Sequence, residues 1–292
     1  MDPMILVHGG VGPVAADRME RVRQGLRAAA AAGHALLERG AGALDAVVAA
    51  VRKLEDDPEF GAGFGSALTR DGSVETCASV MDGTKRRAGA VAAAPNLAAP
   101  VIVARAMLER GEQVVMAGPG ALNFAHEIGL DPVKEGALVT PHAQQALRDV
   151  LAGKAAPDGG GVGAVARDKN GHFAAATSTG GTIGRRPGVV DDASIPGVGT
   201  WADETCAVST SGGEALYRIA LAHNIALRVS KGESQRTATK HALQELKELF
   251  PNALAGAIAV DKNSWSALQM GPAMPCAWVD DFGPNEAIGF EL

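Results

Sequence analysis

Three short runs in this chain carry side chains able to do chemistry: Thr177 to Gly181 (TSTGG), Arg185 to Asp192 (RRPGVVDD) and Ser209 to Glu214 (STSGGE). The first two set hydroxyls at the end of an apolar segment, then free backbone, then paired charges, which together suit a small polar substrate. Hydroxyls before a glycine turn also serve as plain turn chemistry. The third run reads as a strand end entering a helix, where backbone N–H groups and small hydroxyls can hold a carboxylate or an oxyanion. A helix cap with Glu214 in the first turn accounts for the same residues without a ligand. Asp191 and Asp192 leave a carboxylate dyad open, as neighbours in a loop of unknown shape.

Other chemistries find less support. His8 in His8-Gly9-Gly10 has no His, Asp or Glu partner at ligand spacing and reads as a structural side chain. The glycine runs at 63–65 and 118–120 lack the flanking residues of a phosphate cradle. No G-x-S-x-G nucleophile elbow is present. Cys77, Cys206 and Cys276 are scattered, odd in number and without C-x-x-C spacing, so they read as buried small apolar residues.

The elements that would position these runs follow from periodicity. Met4 to Val7 predicts a strand, Asp17 to Arg39 and Ala43 to Leu54 predict helices, and Pro100 predicts the start of a helix running to Arg110. Arg70-Asp71-Gly72-Ser73 predicts a hairpin between strands at 66–69 and 74–80. Ala88 to Ala94 suits a strand buried on both faces, and Gln113 to Ala117 another strand. Asp168 to Gly171 (DKNG) and Asp261 to Ser264 (DKNS) predict hairpins joining 162–167 to 173–179 and 253–260 to 265–270. Glu214 to Lys231 and Glu233 to Phe250 predict a helical pair. Strands flanking helices in each half imply an α+β fold of two stacked, mainly antiparallel sheets with helices outside.

At 292 residues the chain suits one large or two medium domains, divided by a linker at about 152–160 whose Gly159-Gly160 runs into Gly161. It is 47% hydrophobic and only 4% aromatic, so Ala, Val, Leu and Ile must build the core, helped by 37 glycines. A net charge of −6 offers no basic footprint for nucleic acid. The start, MDPMILVHGG, has neither the length nor the flanking charge of a signal peptide or membrane span. A soluble, cytoplasmic protein acting on a small molecule or peptide is expected.

In order, ILVHGG from Ile5, LEDDPEFGAGFGSALTRDGSVETCASVMDG from Leu54, AGAVAAAPNLAAPVIVARAMLE from Ala88, GVGAVARDKNGHFAAATSTGG from Gly161 and CAVSTSGGEA from Cys206 resemble the plant-type asparaginase and isoaspartyl peptidase family over essentially the whole chain. That resemblance implies a four-layer αββα sandwich of the N-terminal-nucleophile type. It implies a precursor that cuts itself before a threonine, whose hydroxyl attacks and whose freed α-amine serves as base. Residues 1–160 and 161–292 would be the two subunits, and the assembly a homodimer. The substrate would be a small amino-acid amide or β-aspartyl peptide, with no organic cofactor.

Carried over residue by residue, the nucleophile position is Gly161, where the family has threonine; no Thr, Ser or Cys lies between Gly153 and Thr177 to replace it. Thr179 matches the threonine that supports the nucleophile, Ser211 and Gly212 the oxyanion pair, and Asp192 the aspartate that grips the substrate amine. Val189 stands where the family's carboxylate-binding arginine would be, with Arg185 or Arg186 as substitutes from the same loop. Gly61 stands in place of an asparagine, and Gly212-Gly213-Glu214 is one residue shorter than the family's G-x-G-E. The loop carrying Leu54, Glu55, Asp57, Phe60, Ala62 and Phe64 resembles a backbone-carbonyl sodium site. Three functions fit: an amidohydrolase whose working form has threonine at 161, an inactive relative that binds an amino acid or small peptide, and a hydrolase of changed specificity marked by Val189 and Gly61.

Overall fold

A computed structural model of the chain describes residues 2–154, 160–280 and 283–292. In chain order the elements are β1 (Met4–His8), α1 (Met19–Glu38), α2 (Ala43–Glu55), β2 (Glu75–Asp82), β3 (Arg87–Pro95), α3 (Pro100–Arg110), β4 (Val115–Ala117), α4 (Gly118–Glu127) and α5 (Pro141–Leu151). There follow β5 (Val162–Arg167), β6 (Phe173–Thr179), β7 (Thr200–Ala202), β8 (Cys206–Ser211), α6 (Glu214–Tyr217), α7 (Leu221–Ser230), α8 (Gln235–Leu249), β9 (Ala255–Asp261), β10 (Trp265–Met270), β11 (Cys276–Asp280) and β12 (Gly283–Ala287). Of the expected linker at 152–160, residues 155–159, Gly159 included, lie outside the described residues.

The strands form one sheet of eight, ordered β12-β11-β1-β5-β6-β2-β3-β4, and one of four, ordered β10-β9-β8-β7. All pairings are antiparallel except β3 with β4. The larger sheet draws on both sides of the 152–160 segment, with β1 bonded to β5 and β11, whereas the smaller sheet comes entirely from the second half. Apolar side chains on one face of the eight-stranded sheet, such as Ile5, Val7, Ala164 and Ala176, join Val47, Val51 and Leu54 of α2 and Leu26 of α1. The opposite face meets the smaller sheet through Leu6, Val165, Ile258 and Val260. Val208, Ala257 and Leu268 then meet Ile225, Leu243 and Leu246 of α7 and α8. The layers are therefore αββα, as strand alternation requires when both faces of each sheet are covered.

Small residues between the sheets leave room for a polar seam. His8, Ser209, Thr177, Thr200 and Ser79, from five strands of both sheets, are all buried. His8 Nδ1 accepts from Gly10 N–H at 3.2 Å, so the ring proton sits on Nε2, which donates to Ser209 Oγ at 3.0 Å. Ser209 and Thr177 hydroxyls lie 2.7 Å apart, Thr200 donates to Thr177 at 2.6 Å, and Thr177 to the Gly199 carbonyl at 2.9 Å. Ser79 reaches the Ala193 carbonyl at 2.6 Å. Each hydroxyl of this seam is thus satisfied, which such burial demands. Gly163 makes the seam possible, because a Cβ there would stand 2.0 Å from Ser209 Oγ and 2.5 Å from His8 Nε2. Gly163→Ala is therefore expected to lower stability by about 3 kcal/mol through overpacking and a broken buried hydrogen bond. Urea unfolding of the two chains checks this.

Several local expectations are corrected. The turn at 70–73 forms, with Thr69 N–H on the Ser73 carbonyl at 3.0 Å, but residues 66–69 are not a strand. β2 pairs instead with β3 and β6. The helix expected from Glu214 to Lys231 breaks at 218–220, where Ala220 has φ 46°. The break lets Ala222 and His223 N–H groups bond the Val198 and Gly197 carbonyls. All three cysteines are buried and free. Among the described residues no helix is long and apolar enough to cross a membrane.

Candidate active site

The seam leads to the candidate residues by strand periodicity. Thr177 and Thr179 share one face of β6, as Ser209 and Ser211 share one face of β8, so hydroxyls that bond each other between the sheets are followed two residues on by hydroxyls at the sheet ends. There they line a cavity of about 200 Å³ together with Gly161, Asp191, Asp192 and Gly212. The residues singled out at 177–181, 191–192 and 209–213 thus meet, although up to 52 positions separate them from Gly161.

Gly161 lies just before β5, whose Val162 is paired with Ser178. A Cβ built on it would stand 3.0 Å from the Ser178 carbonyl oxygen, 3.2 Å from Thr179 Cβ and 3.4 Å from Thr179 Oγ1. A side chain fits after shifts of a few tenths of an ångström, and a hydroxyl on it would lie beside Thr179. Thr179 Oγ1 accepts from Gly181 N–H at 2.9 Å, which leaves its own proton to donate. Ser211 Oγ accepts from Val11 N–H at 3.1 Å.

The Gly160–Gly161 peptide is a partition. Gly160 lines a second cavity of about 190 Å³ with Gly10, Phe60, Gly61 and His142, while Gly161 lines the first. Gly61 is therefore near the junction but outside the first cavity. A Cβ on Gly61 would stand 1.9 Å from the Gly160 carbonyl oxygen, so the space an asparagine side chain would need is filled by the junction peptide itself. A Cβ on Gly10, at φ 92°, would stand 2.6 Å from the Gly161 carbonyl oxygen.

The acidic side of the cavity is buried. Asp192 N–H donates to Asp191 Oδ1 at 3.0 Å, and burial followed by the neighbouring Asp191 carboxyl holds the Asp192 carboxyl well above the usual carboxylate range. The Gly213 backbone N–H opposes this by favouring the ionised form. A cation entering the cavity would favour the ionised form of the Asp192 carboxyl. At and beside the position of the family arginine, Arg186 is exposed, Val189 half-buried and Arg185 buried, and none of the three lines the cavity. Val11, Thr182 and Leu254 also line it, and nothing in their spacing marks them beforehand.

The loop after α2 is built from its own backbone. The carbonyl oxygens of Glu55 and Phe60 stand 2.2 and 1.8 Å from where Cβ atoms on Gly63 and Gly65 would be, so only glycine admits them. Leu54, Asp57 and Ala62 carbonyls accept from Asp57, Phe60 and Gly65 N–H groups at 3.1–3.3 Å. The Glu55 side chain turns inward to Val101 N–H and Ser178 Oγ, and burial pushes its carboxyl up to about 8. Among the described residues no group of three His, Cys, Asp or Glu side chains could hold a metal. Neutral carbonyl oxygens are the donor type of hard cations rather than of soft transition metals.

A family model described as asparaginase matches residues 1–282. The isoaspartyl peptidase/L-asparaginase of Homo sapiens is 39% identical, over 96% of this chain and 94% of its own. That of Danio rerio is 38% identical, over 93% and 94%. The isoaspartyl peptidase of Salmonella typhimurium is 40% identical, over 91% of each. The likeness runs through both sides of the Gly160–Gly161 junction and through every strand that feeds the cavity, and the chain belongs to the asparaginase family of amidohydrolases.

Proposed function

We propose that the cavity is the substrate site of an asparaginase and β-aspartyl peptidase whose nucleophile is missing, so that this chain binds a small amino-acid amide or β-aspartyl peptide without cleaving it. One observation carries the reading: Gly161 has room for a side chain against Thr179 Oγ1, in a cavity that also holds Ser211, Gly212 and Asp192. With a threonine at 161, its hydroxyl would attack the substrate carbonyl and its α-amine, with a pKa of about 8 once freed, would take the proton. Thr179 would donate to the attacking oxygen, and the Ser211 hydroxyl and Gly212 N–H would meet the oxyanion. Asp192 would hold the substrate's α-amine. The names of the relatives support the substrate class.

The same reading assigns residues 1–160 and 161–292 as the two subunits of a working enzyme, pairs the chain as a homodimer, and gives the carbonyls of Leu54, Glu55, Asp57, Phe60, Ala62 and Phe64 a sodium ion. Such an ion would stiffen the loop that presents Gly61, whose carbonyl accepts from Gly180 N–H at 2.7 Å beside Thr179. Light scattering tests the dimer.

Calorimetry with L-asparagine tests the site. The chain as it stands is expected to bind L-asparagine and leave it intact, and Asp192→Asn to weaken binding about tenfold or more by removing a charge-assisted partner of the ammonium group. Because the Asp192 carboxyl titrates above its ordinary range, affinity should rise with pH as Asp192 gives up its proton. Unchanged affinity in Asp192→Asn would contradict the assignment.

A further inference from the structure

The cavity beside Gly161 holds two carboxyl groups and no cationic side chain. Asp191 and Asp192 line it, and among the described residues around it none is Lys, Arg or His. Arg185 stands behind Gly181, where a Cβ would come within 2.1 Å of its Nε, but the wall seals it off. Its Nη2 donates to the Glu75 carbonyl at 2.6 Å, and its Nε and Nη1 are fully covered. Its charge offsets part of the field of Asp191, as it does at Cys77, yet it offers a ligand no donor.

Neutral donors are scarce there too. Thr177 and Thr210 give their protons to the Gly199 and Val198 carbonyls at 2.9 Å each, and Gly181 N–H is held by Thr179 Oγ1. With Thr179 and Ser211 assigned to the nucleophile and the oxyanion, Thr182 is the side-chain donor that remains. Val11, Ala193 and Leu254 make other parts of the wall apolar. These surroundings treat the two ends of an amino acid unequally. An ammonium group gains from the acid pair. A carboxylate would leave water without a charged partner, beside two acids of which Asp192 is already held above the usual range by burial and by Asp191.

We infer that the preferred ligand of this cavity is a β-alanyl amide: an ammonium group two carbons from the amide carbonyl, as in asparagine, with no carboxylate on the carbon that bears it. The inference rests on the substrate-site reading above and deepens it, moving the preferred ligand from the β-aspartyl to the β-alanyl series. No basic side chain of the 185–192 loop lines the cavity to restore a carboxylate partner, and Val189 offers no charge. In the threonine form, the hydroxyl at 161 would take the β-alanyl carbonyl as an ester while the amide nitrogen leaves with a proton. Water would then free β-alanine.

Calorimetry on the parent chain separates the two ends with three probes: L-asparagine, 3-aminopropanamide, which lacks only its carboxylate, and succinamate, which lacks only its amine. 3-Aminopropanamide is expected to bind about tenfold or more tighter than L-asparagine, and succinamate weakest of the three. Asp191→Asn removes one acid and keeps an oxygen for the Asp192 N–H, so it should narrow the preference for 3-aminopropanamide. The fragmented Gly161→Thr protein should show a higher kcat/KM for β-alanylglycine than for β-aspartylglycine, which differ in that carboxylate alone. L-asparagine bound by the parent as tightly as 3-aminopropanamide, a preference unchanged in Asp191→Asn, or a higher kcat/KM for β-aspartylglycine would overturn the inference. If no probe binds the parent, or Asp192→Asn leaves the binding of both amides unchanged, the substrate-site reading itself falls and takes this inference with it.

Discussion

Gly161→Thr is expected to break the chain into two fragments, residues 1–160 and 161–292, where the parent stays whole. The new hydroxyl would attack the Gly160 carbonyl carbon while the Gly160–Gly161 peptide nitrogen leaves as the α-amine of residue 161. Water then hydrolyses the resulting ester, giving a Gly160 carboxylate and a free threonine. The site tolerates the substitution because the nearest atoms to a Cβ at 161 stand 3.0 to 3.4 Å away. The Gly160 carbonyl is already fixed, packed where a side chain on Gly61 would be. Gly161→Ala adds the same Cβ without a hydroxyl and should stay whole. Intact-mass spectrometry over hours distinguishes the three chains; a folded threonine variant that never fragments would show that the junction peptide is misaligned for attack.

Acid should destabilise the fold through His8. The imidazole is buried, accepts Gly10 N–H at Nδ1 and donates from Nε2, so a second ring proton has no place to go. Burial depresses its pKa to about 3, against about 6.5 when unfolded. A depressed folded pKa means that the unfolded state binds the proton first. Stability is therefore full above pH 6.5 and drains as pH falls toward 3, by several kcal/mol in all. Asp192, shifted upward, pulls the opposite way over the acid range. The difference between the parent and His8→Gln isolates the histidine: urea midpoints of the two chains should converge as pH drops from 7 to 4. Parallel curves would mean that His8 is not held neutral between the sheets.

Much of the frame was legible because its signals are local. Asp168-Lys169-Asn170-Gly171 specified the β5–β6 hairpin, Gly171 taking φ 79°, and Pro100 opened α3. The strand pattern pointed to stacked sheets, but not to the mixing of both halves in the larger one, because β1 meets β5 and β11 only through long-range pairing. Residues 66–69 misled because their alternation resembles a strand while β2 already has partners on both edges in β3 and β6. The candidate residues were named from type and resemblance. Their convergence depends on register, such as Val162 opposite Ser178, that no local signal encodes. Nor could the sequence separate Arg185 from Arg186, since only the glycine at 181 and the turn of the loop decide which is buried.

The central claim is that the cavity at Gly161 lacks only its nucleophile. Its most direct test is hydrolysis of L-asparagine and of a β-aspartyl dipeptide by the fragmented Gly161→Thr protein beside the parent chain. The variant is expected to turn over at least one of them about a hundredfold or more faster than the parent, the range that a positioned base alone supplies. A variant that fragments and yet hydrolyses neither, or a parent as active as the variant, would contradict the claim.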